Sequence, residues 1–147
     1  MDGYRCTADL LKAIAHPTRL RILEALAEGG EACVCHLESV LGQRQATISQ
    51  QLARLRRDGL VTDRRQGLNV YYALADHDLL DLVGGARQAA IMLARRDDAL
   101  LTFRTAGAGP AASCDCPKCS AKAEARAGRR RSARRSRGRS AGAPLRT

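Results

Sequence analysis

Apolar residues recur at three- and four-residue spacing through most of the first hundred positions, the mark of helices with one buried face. Leu10, Leu11 and Ile14 outline a short amphipathic helix over about 8–15. Leu20, Leu23 and Ala27 form the stripe of a second, opened by His16-Pro17-Thr18 and ended by Gly29-Gly30, since proline is tolerated in a first helical turn and glycine favours a stop. Val34, Leu37 and Leu41 predict a helix from about Ala32 to Leu41, closed by Gly42. The stretch GQRQATISQQLARLRRDGL then places Ile48, Leu52 and Leu55 on one face. Thr47, Ser49, Gln50, Gln51 and Arg54 fall on or near the other, and Gly59 supplies the C-cap.

The period changes after Gly59. LVTDRRQGLNVYYALAD reads as two strands around a turn near Arg65-Gln66-Gly67, with Val70, Tyr72 and Leu74 alternating. Asp78 begins a last helix, predicted over about 78–103, with a stripe of Leu79, Leu82, Ala86, Ala90 and Leu93. Gly84-Gly85 inside it cost about 1 kcal/mol each in helix stability, which close approach of a second helix would justify.

Two short helices joined by a glycine-containing turn, the second with a polar outer face, have the helix-turn-helix pattern. Any solvated helix face has a similar composition, and it is the hairpin that follows which turns the pattern into a winged helix. The expected fold is therefore mainly α with a small β-hairpin wing. Gln and Arg make bidentate contacts with base edges, and Ser and Thr reach bases or phosphates. On that ground Gln43, Arg44, Gln45, Thr47, Ser49, Gln50 and Arg54 are candidate contacts to double-stranded DNA. Arg64 and Arg65, at the hairpin tip, are placed to meet phosphate, although a solvated turn carries such charges too.

The chain has 147 residues, of which 45% are hydrophobic, enough for one domain with a real core. Neither a signal pattern at MDGYRCTADLL nor an apolar run long enough to cross a bilayer is present, so a cytoplasmic protein with no membrane partner is expected. The net charge of +10 is unevenly placed: residues 114–147 account for +9 of it. That end includes an Arg-rich run from Arg129 to Arg139, interleaved with Ser, Gly and Ala. Such a segment buries too little surface to fold alone, and it adds sequence-independent affinity for phosphate. A boundary in TAGAGP divides the chain into a domain over 1–104 and an expected disordered tail over 105–147.

The six cysteines are grouped: Cys33 and Cys35 form CVC, Cys114, Cys116 and Cys119 form CDCPKC, and Cys6 stands by itself. Reduced cytosolic thiols at such spacing point to metal binding or redox chemistry in preference to a disulfide framework. CPKC has the form used in zinc knuckles and redox motifs, but neither a second pair nor a strand-helix setting accompanies it. An accessory metal site, a thiol-redox role and no role all stay open for it. Catalysis is not expected, since no Ser/His/Asp constellation, phosphate loop or paired acid/base carboxylates are present.

AHPTRLRILEAL, EACVCHLESVLGQRQATISQQLARLRRDGLV and RQGLNVYYALAD together resemble the ArsR/SmtB repressor family over roughly residues 8–95. The resemblance implies a winged-helix homodimer, built through its first and last helices, that binds operator DNA with a recognition helix over about Gln45–Arg57. It also implies a repressor that releases DNA on capturing an ion. The CVC pair resembles the ELCVCDL box of arsenic, cadmium and lead sensors in the family. A helix N-terminus lowers thiol pKa and favours the metal-binding thiolate. Residues i and i+2 of a regular helix lie about 200° apart, so Cys33 and Cys35 share an ion only if the first turn deforms. This implies a switch in which the bent helix displaces the recognition helix.

Softness favours arsenite or antimonite as inducer, with cadmium or lead on the same site as the alternative, and a thiol-redox-sensing repressor as a further one. The family's arsenic pattern puts a third cysteine five residues after the first, where this chain has Glu38. Cys6 is then the leading third ligand, with Cys114, Cys116 and Cys119 able to reach back from the tail. The family's zinc site is incomplete, because Ala89 and Met92 stand where two later ligands belong beyond Asp76 and Asp78. His16 reads as a helix cap and His36 as a surface histidine.

Overall fold

A computed structural model describes residues 1–103, 114–117 and 119–120. The chain runs α1 (Gly3–Ile14), α2 (Pro17–Gly29), β1 (Glu31–Cys33), α3 (Val34–Leu41), α4 (Gln45–Arg57), β2 (Val61–Gln66), β3 (Asn69–Leu74) and α5 (Leu79–Arg96). Local chemistry accounts for most of these limits. Asp2 caps α1 by accepting from the Tyr4 N–H at 2.9 Å. His16 is the cap of α2, its Nδ1 accepting from the Thr18 N–H at 3.2 Å, and Pro17 occupies the first turn. Gly42, at φ 62°, ends α3 in the left-handed region that only glycine enters without strain.

The core lies where the apolar stripes of α2, α3 and α4 converge. Ile22, Leu23, Leu26, Leu37, Ile48, Leu52 and Leu55 are fully buried, each worth about 1.5–3 kcal/mol relative to exposure. Leu79 and Val83 of α5 and Val61 of β2 close the cluster, and Leu10 and Ile14 seat α1 on it. Among the described residues no helix is long and apolar enough to cross a membrane.

The wing has one more strand than the pattern predicts. β1, β3 and β2 form an antiparallel sheet in the order β1-β3-β2. Glu31, Ala32 and Cys33 pair with Ala73, Tyr72 and Tyr71, so the expected helix from Ala32 gives way to a strand and α3 starts at Val34. A three-residue strand has too few positions to display a period of two, and its pairing partner lies about 40 residues further on, beyond the reach of any local window. The hairpin turn falls at Gly67-Leu68, slightly later than expected, with Gly67 at φ 59° in the first central position, as type II′ turns require.

The first helix starts earlier than its apolar stripe, at Gly3, because the Asp2 cap sets its origin. The last helix ends at Arg96, short of 103. Gly84 and Gly85 sit within it, and among the described residues nothing beyond the helix's own adjacent backbone lies within 4 Å of a Cβ placed on either. Of the α5 stripe, Leu79 is buried and Leu82 half-buried, whereas Ala86, Ala90 and Leu93 are exposed in the single chain. The proposed tail over 105–147, with its Arg run, lies outside the described residues except for 114–117 and 119–120.

Leu52→Ala in α4 should lower the unfolding free energy by about 2–5 kcal/mol, whereas Leu68→Ser at the exposed turn should change it by less than about 0.5 kcal/mol. Urea melts of both variants against the parent check this. Equal shifts would place the core elsewhere.

Candidate metal centre

The site begins at the junction of β1 and α3. Sheet pairing directs Cys33 inward, and the same residue, extended at φ −84° and ψ 164°, is the N-cap of α3, its Sγ accepting from the His36 N–H at 3.4 Å. The opposing wall comes from the far end of the chain. Cys116 opens a short helical turn, in which the N–H groups of Cys119 and Ser120 both donate to the Cys116 carbonyl at 3.0 Å. A C-x-x-C spacing closed by such a turn brings two sulfurs to one side, and Cys114, two residues before Cys116, adds a third there.

Cys33 Sγ lies 3.4 Å from Cys116 Sγ and 3.5 Å from Cys114 Sγ. The sulfurs of Cys33, Cys114, Cys116 and Cys119 all lie within 4.8 Å of one another, and all four residues are buried. They are free thiols. Tyr71 of β3 completes their buried cluster. His36 Nδ1 lies 3.2 Å from Cys119 Sγ. Four soft donors converging on one point form a cage that suits a thiophilic ion and offers no oxygen ligand to magnesium or calcium.

The electrostatics favour one thiolate among thiols. Burial pushes Cys33 up to about 12, helped by its hydrogen bonds with Cys116 and Cys114. Burial also raises Cys119. At Cys116 burial acts in the same direction but loses to the Cys119 backbone N–H and to hydrogen bonds from Cys33, Cys119 and Cys114, which bring it down to about 7. The negative charge therefore settles on Cys116, with its neighbours as donors. Cys35 is exposed, and its hydrogen bond with Cys114, together with desolvation, raises it to about 11.

The structure thus brings together Cys33 and the three tail cysteines, sets Cys35 at their edge, and leaves Cys6 exposed on α1 outside the cluster. Cys33 belongs to the strand end and Cys35 to the first turn of α3, so the two are not a pair on one helix. Sequence reasoning missed Tyr71, whose part depends on strand register, and His36, which is half-buried against Cys119 and not a plain surface residue.

Of the candidate DNA contacts, Arg44, Gln45, Ser49, Gln50 and Arg54 are exposed at the start of α4 and along it, and Gln43 and Thr47 are half-buried, while Gln51 turns into the core. Arg65 is exposed on β2. Arg64 does not point freely from the tip: its Nε and Nη2 donate to the two carboxylate oxygens of Glu31 at 2.7 and 2.8 Å.

Comparison with known proteins agrees with this architecture. The model of the arsR family of bacterial regulatory proteins matches residues 16–63. An uncharacterized HTH-type transcriptional regulator of Mycobacterium tuberculosis is 38% identical over 105 residues, covering 71% of this chain and 92% of that one. Its crystal structure superposes with a TM-score of 0.58 at 36% identity, over 67% of this chain and all of that one. The arsenical resistance operon repressor of Escherichia coli is 50% identical over 68 residues, 46% of this chain and 58% of its own length. The AntR antimony-specific transcriptional repressor is 32% identical with a TM-score of 0.53, over 61% of this chain and 80% of that one.

A thiol reagent should label Cys6 and Cys35 quickly and the four clustered cysteines slowly in the folded protein loaded with a thiophilic ion, with all six reacting alike in denaturant. Mass mapping of the labelled sites checks the burial pattern. Early labelling of Cys33 would contradict it.

Proposed function

From the premise that this chain belongs to the ArsR family of bacterial transcriptional regulators, we propose that it is a repressor that lets go of its operator when Cys33, Cys114, Cys116 and Cys119 capture arsenite or antimonite. The family membership makes it a DNA-binding winged-helix regulator that answers to metal ions. The observation that carries the finer reading is the convergence of four buried sulfurs within 4.8 Å. Trivalent arsenic and antimony each take three soft thiolates, which this cage supplies with one to spare. The arsenical and antimony repressors among its relatives support the same choice of ion. Cadmium or lead, with a larger demand for thiolates, is the second reading, favoured by the fourth sulfur.

Operator binding is assigned to the exposed face of α4 and to the wing, in a homodimer. Exposed apolar side chains are concentrated on the first and last parts of the core: Tyr4 and Leu11 on α1, Met92 and Leu93 on α5, and Leu100, Leu101 and Phe103 beyond it. Burying them against a second copy is the physical reason to expect the dimer through those helices. Two recognition helices on a two-fold axis then meet successive major grooves.

Cys33→Ser, and the triple variant Cys114→Ser/Cys116→Ser/Cys119→Ser, should bind operator but fail to release it with arsenite. Cys35→Ser and Cys6→Ser should still release it. Fluorescence anisotropy of a labelled operator reads the outcome. A triple variant that responds fully, beside a deaf Cys35→Ser, would move the sensor to the start of α3.

The pH dependence separates the ions. Arsenous acid and three thiols give the tris-thiolate and three waters with no net proton. Where Cys116 is already a thiolate, above about pH 7, the same reaction takes up one proton. Arsenite affinity should therefore be flat below that point and fall above it, by up to about tenfold per pH unit. Cadmium instead displaces protons from the raised thiols, so its affinity should climb through the same range. Isothermal titrations in buffers of different ionisation enthalpy count the protons. An arsenite affinity that rises with pH would contradict the assignment of the charge to Cys116.

A further inference from the structure

The thiol cage and the wing arginine share one row of the sheet. Cys33 of β1 faces Tyr71 of β3, and Tyr71 faces Arg64 of β2. Residues opposite one another on adjacent strands project from the same side, and so does Glu31, two positions before Cys33. The Arg64 guanidinium stacks 5.2 Å from the centroid of the Tyr71 ring. Its Nε and Nη2 engage both oxygens of Glu31, and its Nη1 donates to Gln66 Oε1 at 3.0 Å. Tyr71 is only 3% exposed, and the cluster that buries it consists of Cys33 and the three tail cysteines. One ring therefore packs in the same cluster as the tail cysteines and carries the arginine over its face.

We propose that this row passes the state of the cage to DNA: with the tail turn clamped over Tyr71, Arg64 is held on Glu31 and withheld from the DNA backbone. The inference rests on the thiophilic-ion reading above and adds the route by which capture weakens binding. Arginine presents a planar fork that fits a carboxylate or a phosphate in bidentate fashion, but not both together. Glu31 and a backbone phosphate are thus rivals for one guanidinium. When the tail turn leaves the ring, Tyr71 loses most of its cover, the stacked position of Arg64 loses its firm base, and the fork is released toward phosphate. An ion bridging Cys33 to the tail cysteines fixes the clamped arrangement. Glu31 and Arg64 act here as positioning and contact residues, with no ligand role.

The test uses the full-length protein with arsenite and, separately, cadmium as probes. Ion capture is followed by thiolate-to-ion absorbance in the ultraviolet, and operator affinity by anisotropy across a salt series. Arg64→Ala should lower the salt slope of the ion-free protein by about one unit per protomer, while leaving ion capture intact. Glu31→Gln should leave capture and the ion-free slope unchanged, but its ion-loaded form should retain severalfold more operator affinity than the ion-loaded parent. Both positions are at the sheet surface, so folding is not at stake, and circular dichroism verifies it. Parent protein that captures ion and releases DNA, beside two variants that respond as the parent does, overturns the row as the route and leaves the function reading standing. Parent protein that takes up neither ion overturns that reading and this coupling with it.

Discussion

The pairing of Glu31–Cys33 with Tyr71–Ala73 is the constraint on which the functional architecture depends. It is short, yet it welds the start of α3 to the inner strand of the wing. Because Cys33 is at once the last residue of β1 and the cap of α3, its thiol is fixed by backbone hydrogen bonds on two sides. A cysteine two residues further along belongs to the first turn of the helix and is exposed at the edge of the cluster, as Cys35 is. The burial of one cysteine and the exposure of the other thus follow from a strand ending where a helix begins.

Around that fixed sulfur the tail supplies three more on a short segment closed by a helical turn. Buried thiols are weak hydrogen-bond partners and pay for desolvation of any charge they carry, so an assembly of four gains little from its own contacts. Sharing one negative charge, centred on Cys116 with the others as donors, eases that cost without removing it. Such an arrangement is poised: an ion that replaces several weak S–H contacts by sulfur bonds adds far more to docking of the tail than the thiols do themselves. Docking of the tail and capture of the ion are then two descriptions of one equilibrium.

The coupling proposed for this equilibrium runs through the sheet to the wing. Helical coupling through α3 would require a helix to bend, and α3 is regular, stopped at each end by its own caps. The wing is a lighter element. Its outer residues are mostly exposed, and it is held at its surface by ion pairs such as Arg64 with Glu31 within the sheet and Asp63 with Arg56 of α4. Exposed pairs of this kind are worth about 1 kcal/mol or less, so a modest change at Tyr71 is enough to redistribute them.

What the sequence determined by itself is local and periodic. The 3.6-residue stripes of α2 and α4, the His16-Pro17 cap, the stop at Gly42 and the hairpin around Gly67 are written in neighbouring residues, and with them come the winged-helix fold and the polar face of α4. The grouping of cysteines was equally plain, along with the preference for a soft ion. The partner of Cys33 was not legible, because contiguity in CVC suggested Cys35, whereas the sulfurs that meet Cys33 lie some 80 residues away. The three-residue strand β1 and the row joining Cys33, Tyr71 and Arg64 likewise depend on strand register, and register is decided by which faces become buried when the whole chain packs. Spacing along the chain specifies what an element is, but only tertiary packing decides which distant side chains it brings into contact.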